Sequence, residues 1–325
     1  MLHGASTSNR ETSDAPLWFV IVCKELVEKE AQPSFLGEVC GQGTVRDIII
    51  DIAHAYIQGT SNGIYMDAET GLIFSPSHYT WMDTNHPAGT PRQGYPIEIQ
   101  ALWYGTLKFL SAIDSNDGNW KQLAEKVQTS IGKYFWLASG QYLSDCLHAG
   151  QGTPAREAIA DDALRPNQVL AITMGALVQP DMCQNLLEAC QELLVPGAIR
   201  SLADRPLNRP LEIMHQGQRL SDPYQPYRGR YEGDEDTARK PAYHNGTAWT
   251  WLFPSFCEAW EMTFGTGAHP TAKAWLSSVP RLLEQGCVGH VPEILDGDYP
   301  HLQRGCPAQA WGASESLRVW LKMGK

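Results

Sequence analysis

The 325-residue sequence lacks the patterns that mark several large classes of protein. It has no run of lysines or arginines, and its 36 acidic residues outnumber its 25 basic ones, which argues against a nucleic-acid partner. No stretch of about 18 apolar residues is present, so we expect no membrane-spanning helix. Because no basic segment followed by an apolar run opens the sequence, we also expect no secretory signal and a cytoplasmic protein.

Cofactor-binding patterns are missing as well. No glycine-rich phosphate loop and no G-x-S-x-G element occurs, which leaves nucleotide binding and serine hydrolysis without support. The eight cysteines are scattered without a C-x-x-C pair and indicate reduced thiols. Histidines and cysteines do not recur at metal-ligand spacing, and residues 296–298 (DGD) match only part of a calcium loop. We therefore expect neither a metal nor a cofactor.

Helical spacing of apolar residues is abundant. Val20 and Ile21, for example, follow Leu17 by three and four residues and would share one helix face. Such patterns predict helices at 15–30, 44–58, 96–112, 119–138, 166–177, 181–194, 247–264, 270–285 and 308–322. Short β segments are expected near 63–67 and 72–75.

Long polar connections separate these predicted helices at every second junction. They cover residues 68–95, 139–165, 205–244 and 286–307. Loops longer than about 12–15 residues are uncommon unless they are functional. Alternating short and long connections predict a single domain, 1–325, of helical hairpins arranged as a toroid, with a site where the long loops meet. A solenoid of helical pairs is the alternative, although no fixed-period repeat is visible.

The long loops carry acids in aromatic or apolar surroundings. Asp83 lies beside Trp81 and Met82, and Glu293 also has apolar neighbours. Apolar surroundings favour the protonated form of a carboxyl group, which a general acid needs, but a turn aspartate would look the same. The 11 tryptophans either pack in the core or offer flat faces to sugar rings.

Other polar residues stand at predicted helix starts. Arg165 and Asn167 begin one helix, where they bind an anion or a hydroxyl oxygen, unless Arg165 pairs with a neighbouring aspartate. His244 precedes another helix and is either a ligand donor or a structural hydrogen-bonding residue. That helix would place Trp249 and Trp251 on different faces, one of them toward a cleft.

Seven segments, taken together and in order, resemble one family, the amylo-α-1,6-glucosidase domain of glycogen debranching enzymes. They are SNRETSDAPLWF, HYTWMD, GYPIEIQALWY, RPNQ, YRGRYEGD, YHNGTAWTW and PEILDGDYPHLQRGCPAQAW, and they extend over nearly the whole chain. The resemblance implies an all-α fold, an (α/α)6 toroid of six helical hairpins. It also implies a glycoside hydrolase that removes α-1,6-linked glucose at branch points of glycogen, a limit dextrin or a related α-glucan.

The resemblance also implies roles for individual residues. Asp83, in T-W-M-D, matches the general acid, and Glu293, which precedes the I-L-D-G-D element, matches the general base. An inverting enzyme of this type holds its two carboxyl groups about 6.5–9.5 Å apart. The motif positions that would line the sugar site are Asp14, Trp18, Trp81, Glu98, Arg165, Asn167, Arg230, His244, Trp249 and Gln309.

One departure from the family pattern concerns the N-terminus. Family members have about three more helices before the S-N-R-E-T-S-D segment, which here follows Met1 by only a few residues. We therefore expect an N-terminally truncated domain and a possible complementing N-terminal chain. The alternatives are a non-catalytic glycan-binding remnant and another (α/α)6 glycosidase, such as a trehalase-like enzyme.

Overall fold

The computed structural model describes residues 10–30, 33–84, 92–114 and 119–324. This part of the chain is helix-rich, with 48% of residues helical. Its α-helices are α1 (Ala15–Glu30), α2 (Val45–Gln58), α3 (Ile97–Ile113), α4 (Asn119–Tyr134), α5 (Val169–Thr173), α6 (Pro180–Cys190), α7 (Lys240–Tyr243), α8 (Phe253–Phe264), α9 (His269–Leu276) and α10 (Ala310–Met323).

All of these helices except α7 form two layers. Helices α1, α3, α5, α8 and α10 make one row, in which each helix packs against the next. Helices α2, α4, α6 and α9 lie behind this row and contact its members. The two ends of the row, α1 and α10, approach each other through an ion pair between Arg318 and Glu25 (3.4 Å) and an edge contact between Trp18 and Trp311 (6.3 Å). The row therefore curves.

Short strands connect the helices. They are β1 (Val39–Cys40), β2 (Gly43–Thr44), β3 (Tyr65–Met66), β4 (Ile73–Phe74), β5 (Gly94–Pro96), β6 (Trp136–Leu137), β7 (Tyr142–Leu143), β8 (Cys146–His148), β9 (Ile159–Ala160), β10 (Leu194–Val195), β11 (Ala198–Arg200), β12 (Met214–His215), β13 (Gln218–Arg219), β14 (Ala248–Trp249), β15 (Ile294–Leu295) and β16 (Gln303–Arg304). An antiparallel sheet of five strands, in the order β10-β11-β14-β15-β16, joins the long loop 286–307 to residues 194–200 and 248–249.

Helix α3 lies at the centre of the core. All of its residues from 97 to 107 are buried, as its nearly continuous apolar sequence requires. The Gln100 side chain accepts a hydrogen bond from the Ile73 amide (2.8 Å) and donates one to the Ile73 carbonyl (2.9 Å). The Trp103 indole donates to the carbonyl of Gly71 (3.1 Å). These bonds fix β4 against α3.

Most of the predicted helices and both predicted β segments are present. Helix α2 begins after Thr44, whose hydroxyl accepts from the Asp47 amide (3.2 Å) while the Asp47 carboxylate accepts from the Thr44 amide (2.8 Å). This reciprocal cap is a strong local start signal. The prediction of one helix over 247–264 was wrong at its beginning, because Trp249 lies in β14 and α8 starts only at Phe253.

Two general features complete the description. None of the helices in the described ranges is both long and apolar enough to cross a lipid bilayer. All eight cysteines are free thiols, of which Cys40 and Cys306 are exposed.

Candidate active site

The two predicted catalytic carboxylates lie on loops that the core holds in place. Asp83 follows Trp81 and Met82 in the connection between β4 and β5, and Glu293 immediately precedes β15. Trp81 and Met82 are buried, whereas the Asp83 side chain is 70% exposed. The apolar neighbours therefore anchor the loop in the core and leave the Asp83 carboxylate free to meet a ligand.

Trp81 owes its position to a long-range hydrogen bond. Its indole nitrogen donates to Oδ1 of Asn167 (2.8 Å), and the amide nitrogen of Asn167 donates to Oδ1 of Asp145 (2.7 Å). All three side chains are buried. Because Asn167 lies in the turn just before α5, this chain of bonds ties the loop that carries Asp83 to the row of helices that contains α5.

An aromatic cluster surrounds Trp81. Its rings come from four separate segments and contact one another in series; they are Trp18, Trp81, Tyr243, His244, Trp249, Trp251 and Trp311. The Trp251 and Trp311 rings stack with their centroids 3.9 Å apart, and Trp81 meets Trp251 edge-on at 5.2 Å. Such a cluster offers both apolar faces and N–H donors, which suit a sugar ring.

His244 is a buried imidazole beside Asp83. Its ring stacks on Trp249 at 5.1 Å, and its Nε2 lies 3.8 Å from Oδ1 of Asp83, which is too long for a hydrogen bond. Neither ring nitrogen has a hydrogen-bond partner among the described residues. Burial lowers the pKa of His244, an effect that Asp83 opposes. A neutral imidazole with open hydrogen-bonding capacity therefore faces the position of the candidate acid.

This environment predicts a dependence of stability on pH. The pKa of His244 is lower in the folded chain than in the unfolded chain, where it is about 6.5. The unfolded state therefore binds the proton more readily, and stability falls as pH falls below about 6.5. We expect His244→Gln to lose less unfolding free energy than the parent protein between pH 7.5 and pH 5, as measured by urea unfolding. Substitution of the exposed His290 is the control, and this variant should lose as much unfolding free energy as the parent over the same pH range. An equal loss of unfolding free energy in the parent and in His244→Gln would contradict the prediction.

Glu293 is oriented by several donors. Its Oε2 accepts from the Cys306 amide (2.9 Å), and its Oε1 accepts from Nε2 of Gln309 (3.0 Å). Tyr243 lies close enough for this carboxylate to raise the pKa of its hydroxyl. Oε1 of Gln309 is buried and has no partner among the described residues, so it remains available to a ligand.

Tyr243 connects the two acids, and the sequence analysis did not single it out. Burial raises the pKa of Tyr243, and the nearby carboxylates of Glu293 and Asp83 act in the same direction. The hydroxyl therefore stays protonated and remains a donor. The signal that was available is its position next to His244, in the segment YHNGTAWTW.

Gly305 gives Glu293 the space it occupies. Its φ is +68°, and a Cβ there would overlap Oε2 of Glu293 and the side chain of Ile294. We expect Gly305→Ala to lower kcat for the reaction of this site about 10- to 100-fold, because small displacements of a reacting group are costly. Steady-state kinetics on the folded variant would measure the change.

Gly41→Ala is the matched control for this substitution. Gly41 has a φ of +66°, and a Cβ there would meet no atom within 4 Å. Both variants carry the same backbone strain, of about 1–2 kcal/mol, but only one displaces Glu293. Equal kcat values for the two would show that Glu293 does not need its observed position.

Three of the predicted sugar-site residues are instead internal to the protein. Glu98, Arg165 and Asn167 are almost fully buried around Asp145. Arg165 lies with its Nε 3.5 Å from Asp145 and donates to the carbonyls of Ser201 and His244. The aspartate that lies beside Arg165 is therefore Asp145, which is not one of its neighbours in the sequence.

Arg92 completes this buried group. It makes a two-pronged ion pair with Glu98 (2.5 and 2.7 Å) and a hydrogen bond from its Nε to Asp145 (2.6 Å). The polar residues of α3 therefore bond to protein groups rather than facing a wet interior. We infer that Glu98, Arg165 and Asn167 support the site, and their contact with sugar stays a prediction.

The remaining predicted residues lie at the edges of the site. Asp14 is buried at the start of α1, where burial raises its pKa and the charge of Asp83 adds to this effect. Trp18, one turn later, belongs to the aromatic cluster. Arg230 lies away from this cluster, with its Nε 3.8 Å from Asp298. The structure thus brings Asp14 and Trp18 to the Asp83 side and leaves Arg230 beside a surface loop.

Glu293 also opens onto solvent. A groove of about 570 Å³ lies beside it, lined by residues including Tyr231, Arg239 and Arg304. Among the residues that the structure describes, no group of three or more His, Cys, Asp or Glu side chains is arranged to hold a metal ion. Glycoside hydrolases use a pair of Asp or Glu carboxyl groups that flank the scissile bond, a role for which Asp83 and Glu293 are the candidates in this site.

Comparison with known proteins agrees with this class. The family described as amylo-alpha-1,6-glucosidase matches residues 1–318, so the chain belongs to that family. Over 252 residues the chain is 28% identical to a protein of Saccharomyces cerevisiae, the glycogen debranching enzyme. The aligned region covers 62% of this chain but 15% of the yeast protein, so the chain spans only a small part of that relative's length.

Proposed function

We propose that this chain is a glycosidase domain that releases α-1,6-linked glucose from branch points of glycogen, a limit dextrin or a related α-glucan. The observation that carries the proposal is the pairing of Asp83 and Glu293 around Tyr243, within reach of one aromatic cluster. Family membership supports the same reaction. Eight free thiols also support a reducing, cytoplasmic location.

Each acid has a distinct role in this proposal. Asp83 donates a proton to the leaving oxygen, and its exposure lets it reach a bond at the mouth of the site. Glu293 activates a water molecule on the opposite face of the sugar, and the donors from Cys306 and Gln309 hold its carboxylate in place. This is the inverting mechanism, in which water attacks directly.

The sugar would be held by groups that lack partners. His244 presents unpaired ring nitrogens and Gln309 an unpaired Oε1, which match hydroxyl groups of a glucosyl ring. The Trp18 and Trp311 rings offer apolar surface for the faces of the same ring. Glu98, Arg165 and Asn167 act behind these contacts by fixing Trp81 and His244.

We further propose that the two helix layers are part of an (α/α)6 toroid. An inner row of α1, α3, α5, α8 and α10 backed by α2, α4, α6 and α9 is the alternation that such a toroid has. The long loops at one end of the rows carry Asp83, Glu293 and His244, which supports a site at that end.

The proposed reaction is tested by glucose release from a phosphorylase limit dextrin, measured enzymatically. We expect glucose from the limit dextrin and none from trehalose or mannosides. Activity on trehalose or mannosides alone would overturn the proposal in favour of another enzyme of this fold. Binding of maltooligosaccharides without any release of glucose at high protein concentration would show a non-catalytic glycan-binding protein.

We also propose that helices from a complementing N-terminal chain cover an exposed apolar surface. Phe19, Val22 and Leu26 form an exposed stripe along α1, and Leu317 and Leu321 form another along α10. The two helices are neighbours, as the Arg318 contacts show. Adjacent apolar stripes are typical of a surface that another element covers.

Co-expression would test this complementing chain. The segment of the yeast enzyme that precedes its matched region should increase glucose release by our chain when the two are produced together. The double substitution Val22→Glu and Leu317→Glu should abolish the increase and leave the basal activity unchanged. No increase, or an increase that persists in the double variant, would contradict the proposal.

A further inference from the structure

We propose that the hairpin following Glu293 is an accessory subsite that binds a glucosyl unit of the α-glucan outside the cleavage position, with Tyr299 as its platform. The hairpin consists of β15, β16 and the turn between them, and Tyr299 at the turn is 81% exposed. The nature of the ligand rests on the proposed function. A single exposed tyrosine needs no explanation by itself, so the inference depends on what surrounds this one.

The turn that presents Tyr299 is firmly held. Asp296 is buried, and its Oδ1 accepts from the Tyr231 amide (2.8 Å) while its Oδ2 accepts from Nε of Arg304 (3.0 Å). Nδ1 of His301 lies 3.0 Å from the carbonyl oxygen of Asp296, which accepts its hydrogen bond. An aromatic ring on such a fixed turn loses little conformational entropy when a ligand stacks on it.

Polar groups suited to sugar hydroxyls flank the ring. Arg230 donates to the carbonyl of Tyr299 (3.3 Å), and its Nε lies 3.8 Å from Asp298. About half of the Arg230 side chain is exposed, so most of its donors remain available. Tyr227 donates to Asp298 (2.8 Å) and fixes that carboxylate. Planar charged groups can hydrogen-bond the hydroxyls of a glucosyl unit while a neighbouring aromatic ring packs against the apolar face of the same unit.

This surface is continuous with the groove beside Glu293. Residues 229–231 run alongside the hairpin, where the Gly297 amide donates to the Gly229 carbonyl (2.6 Å) and the Tyr231 amide donates to Asp296. Tyr231 lines the Glu293 groove, and Gly229 lines a second cavity of about 410 Å³ together with Arg230. Arg230 and Tyr231 are consecutive residues, so the linings of the two cavities are adjacent along the chain. A bound glucan can reach both.

Binding without cleavage tests the subsite directly. In an Asp83→Asn background, glycogen affinity would be measured by electrophoresis in glycogen-containing gels. Linear maltooligosaccharide affinity would be measured by calorimetry. We expect Tyr299→Ala to weaken glycogen binding about fivefold and to remove most of the gain in affinity from glucose to longer oligosaccharides. Tyr299→Phe keeps the ring and should remain within about twofold of the parent.

Met262→Ala, at another exposed apolar side chain, is the control and should bind as the parent does. The subsite is overturned if the parent binds no glucan, if Tyr299→Ala binds like the parent, or if Met262→Ala is equally weakened. Glucose release by protein without the Asp83 substitution is measured separately. If glucan binding depends on Tyr299 but no glucose is released, the proposed function is wrong and the subsite stands. If glucose is released and Tyr299→Ala does not change glucan binding, the subsite is wrong and the proposed function stands.

Discussion

Asp83→Asn is expected to lower the rate of glucose release from a limit dextrin about a thousandfold. The amide cannot supply a proton to the leaving oxygen, and general acid–base groups contribute about 10²- to 10⁴-fold to rate. Since the Asp83 side chain is exposed and, among the described residues, makes no ion pair shorter than its 3.8 Å approach to His244, the fold should tolerate the change. The initial rate of glucose formation, with unfolding followed in parallel, would measure the effect.

Glu293→Gln should cause a loss of similar size for a different reason. The amide keeps one oxygen, which can accept from either Cys306 or Gln309, and it cannot take a proton from water. The two variants are distinguishable with α-glucosyl fluoride, whose leaving group needs little protonation. Asp83→Asn should retain much of its activity on this substrate, whereas Glu293→Gln should not.

The stereochemistry of the product gives an independent check. Direct attack by water activated at Glu293 inverts the anomeric centre, so β-glucose should appear first in an NMR time course. Asp51→Asn and Glu188→Gln change exposed acids on α2 and α6 and serve as matched controls. Initial formation of α-glucose would contradict inversion, and equal losses on both substrates in both variants would contradict the assigned roles.

Local sequence signals were enough to predict most of the helices, but they did not predict strand β14 beside the candidate site. Helix α2 could be predicted because its apolar stripe follows a reciprocal cap between Thr44 and Asp47. The segment Thr247–Leu252 was placed in a helix because Trp249 and Trp251 precede a clear helical pattern. Its strand pairing with β11 and β15 depends on residues about 50 positions away on each side, which local spacing does not show.

The same limit applies to the residues of the site. Asp83 and Glu293 could be selected from their motifs, but the environment of each polar residue depends on partners distant in sequence. Arg165 was expected to pair with a neighbouring aspartate, yet its partner is Asp145. Tyr243 gains its importance only when Glu293, 50 residues later, approaches its hydroxyl. Motifs could therefore nominate Asp83 and Glu293 as candidate catalytic residues, but they could not show which residues surround them.

The largest stability effect is expected at Asp145. Its carboxylate accepts from Arg92 and Asn167 and faces Arg165, and all four side chains are almost fully buried. Asp145→Ala would leave two buried guanidinium groups with Glu98 as the remaining carboxylate in direct contact. Removing one partner of a buried ion pair costs about 3–5 kcal/mol, and we expect a decrease of this size in the unfolding free energy from urea titration.

Two further variants make the Asp145 result interpretable. Asp145→Asn keeps an acceptor for Arg92 but removes the charge, so it should lose less unfolding free energy than Asp145→Ala. It would be measured if the Asp145→Ala protein does not accumulate.

Glu212→Ala breaks an ion pair with Arg219 in which both side chains are 52% exposed, and it should cost no more than about 1 kcal/mol. An Asp145→Ala loss as small as that of Glu212→Ala would contradict this prediction and would show that water solvates the guanidinium groups in place of the carboxylate. Because Asn167 bridges Asp145 and Trp81, the same substitution should also disturb the loop that carries Asp83. A folded Asp145→Ala protein with full glucose release would separate the buried network from the site.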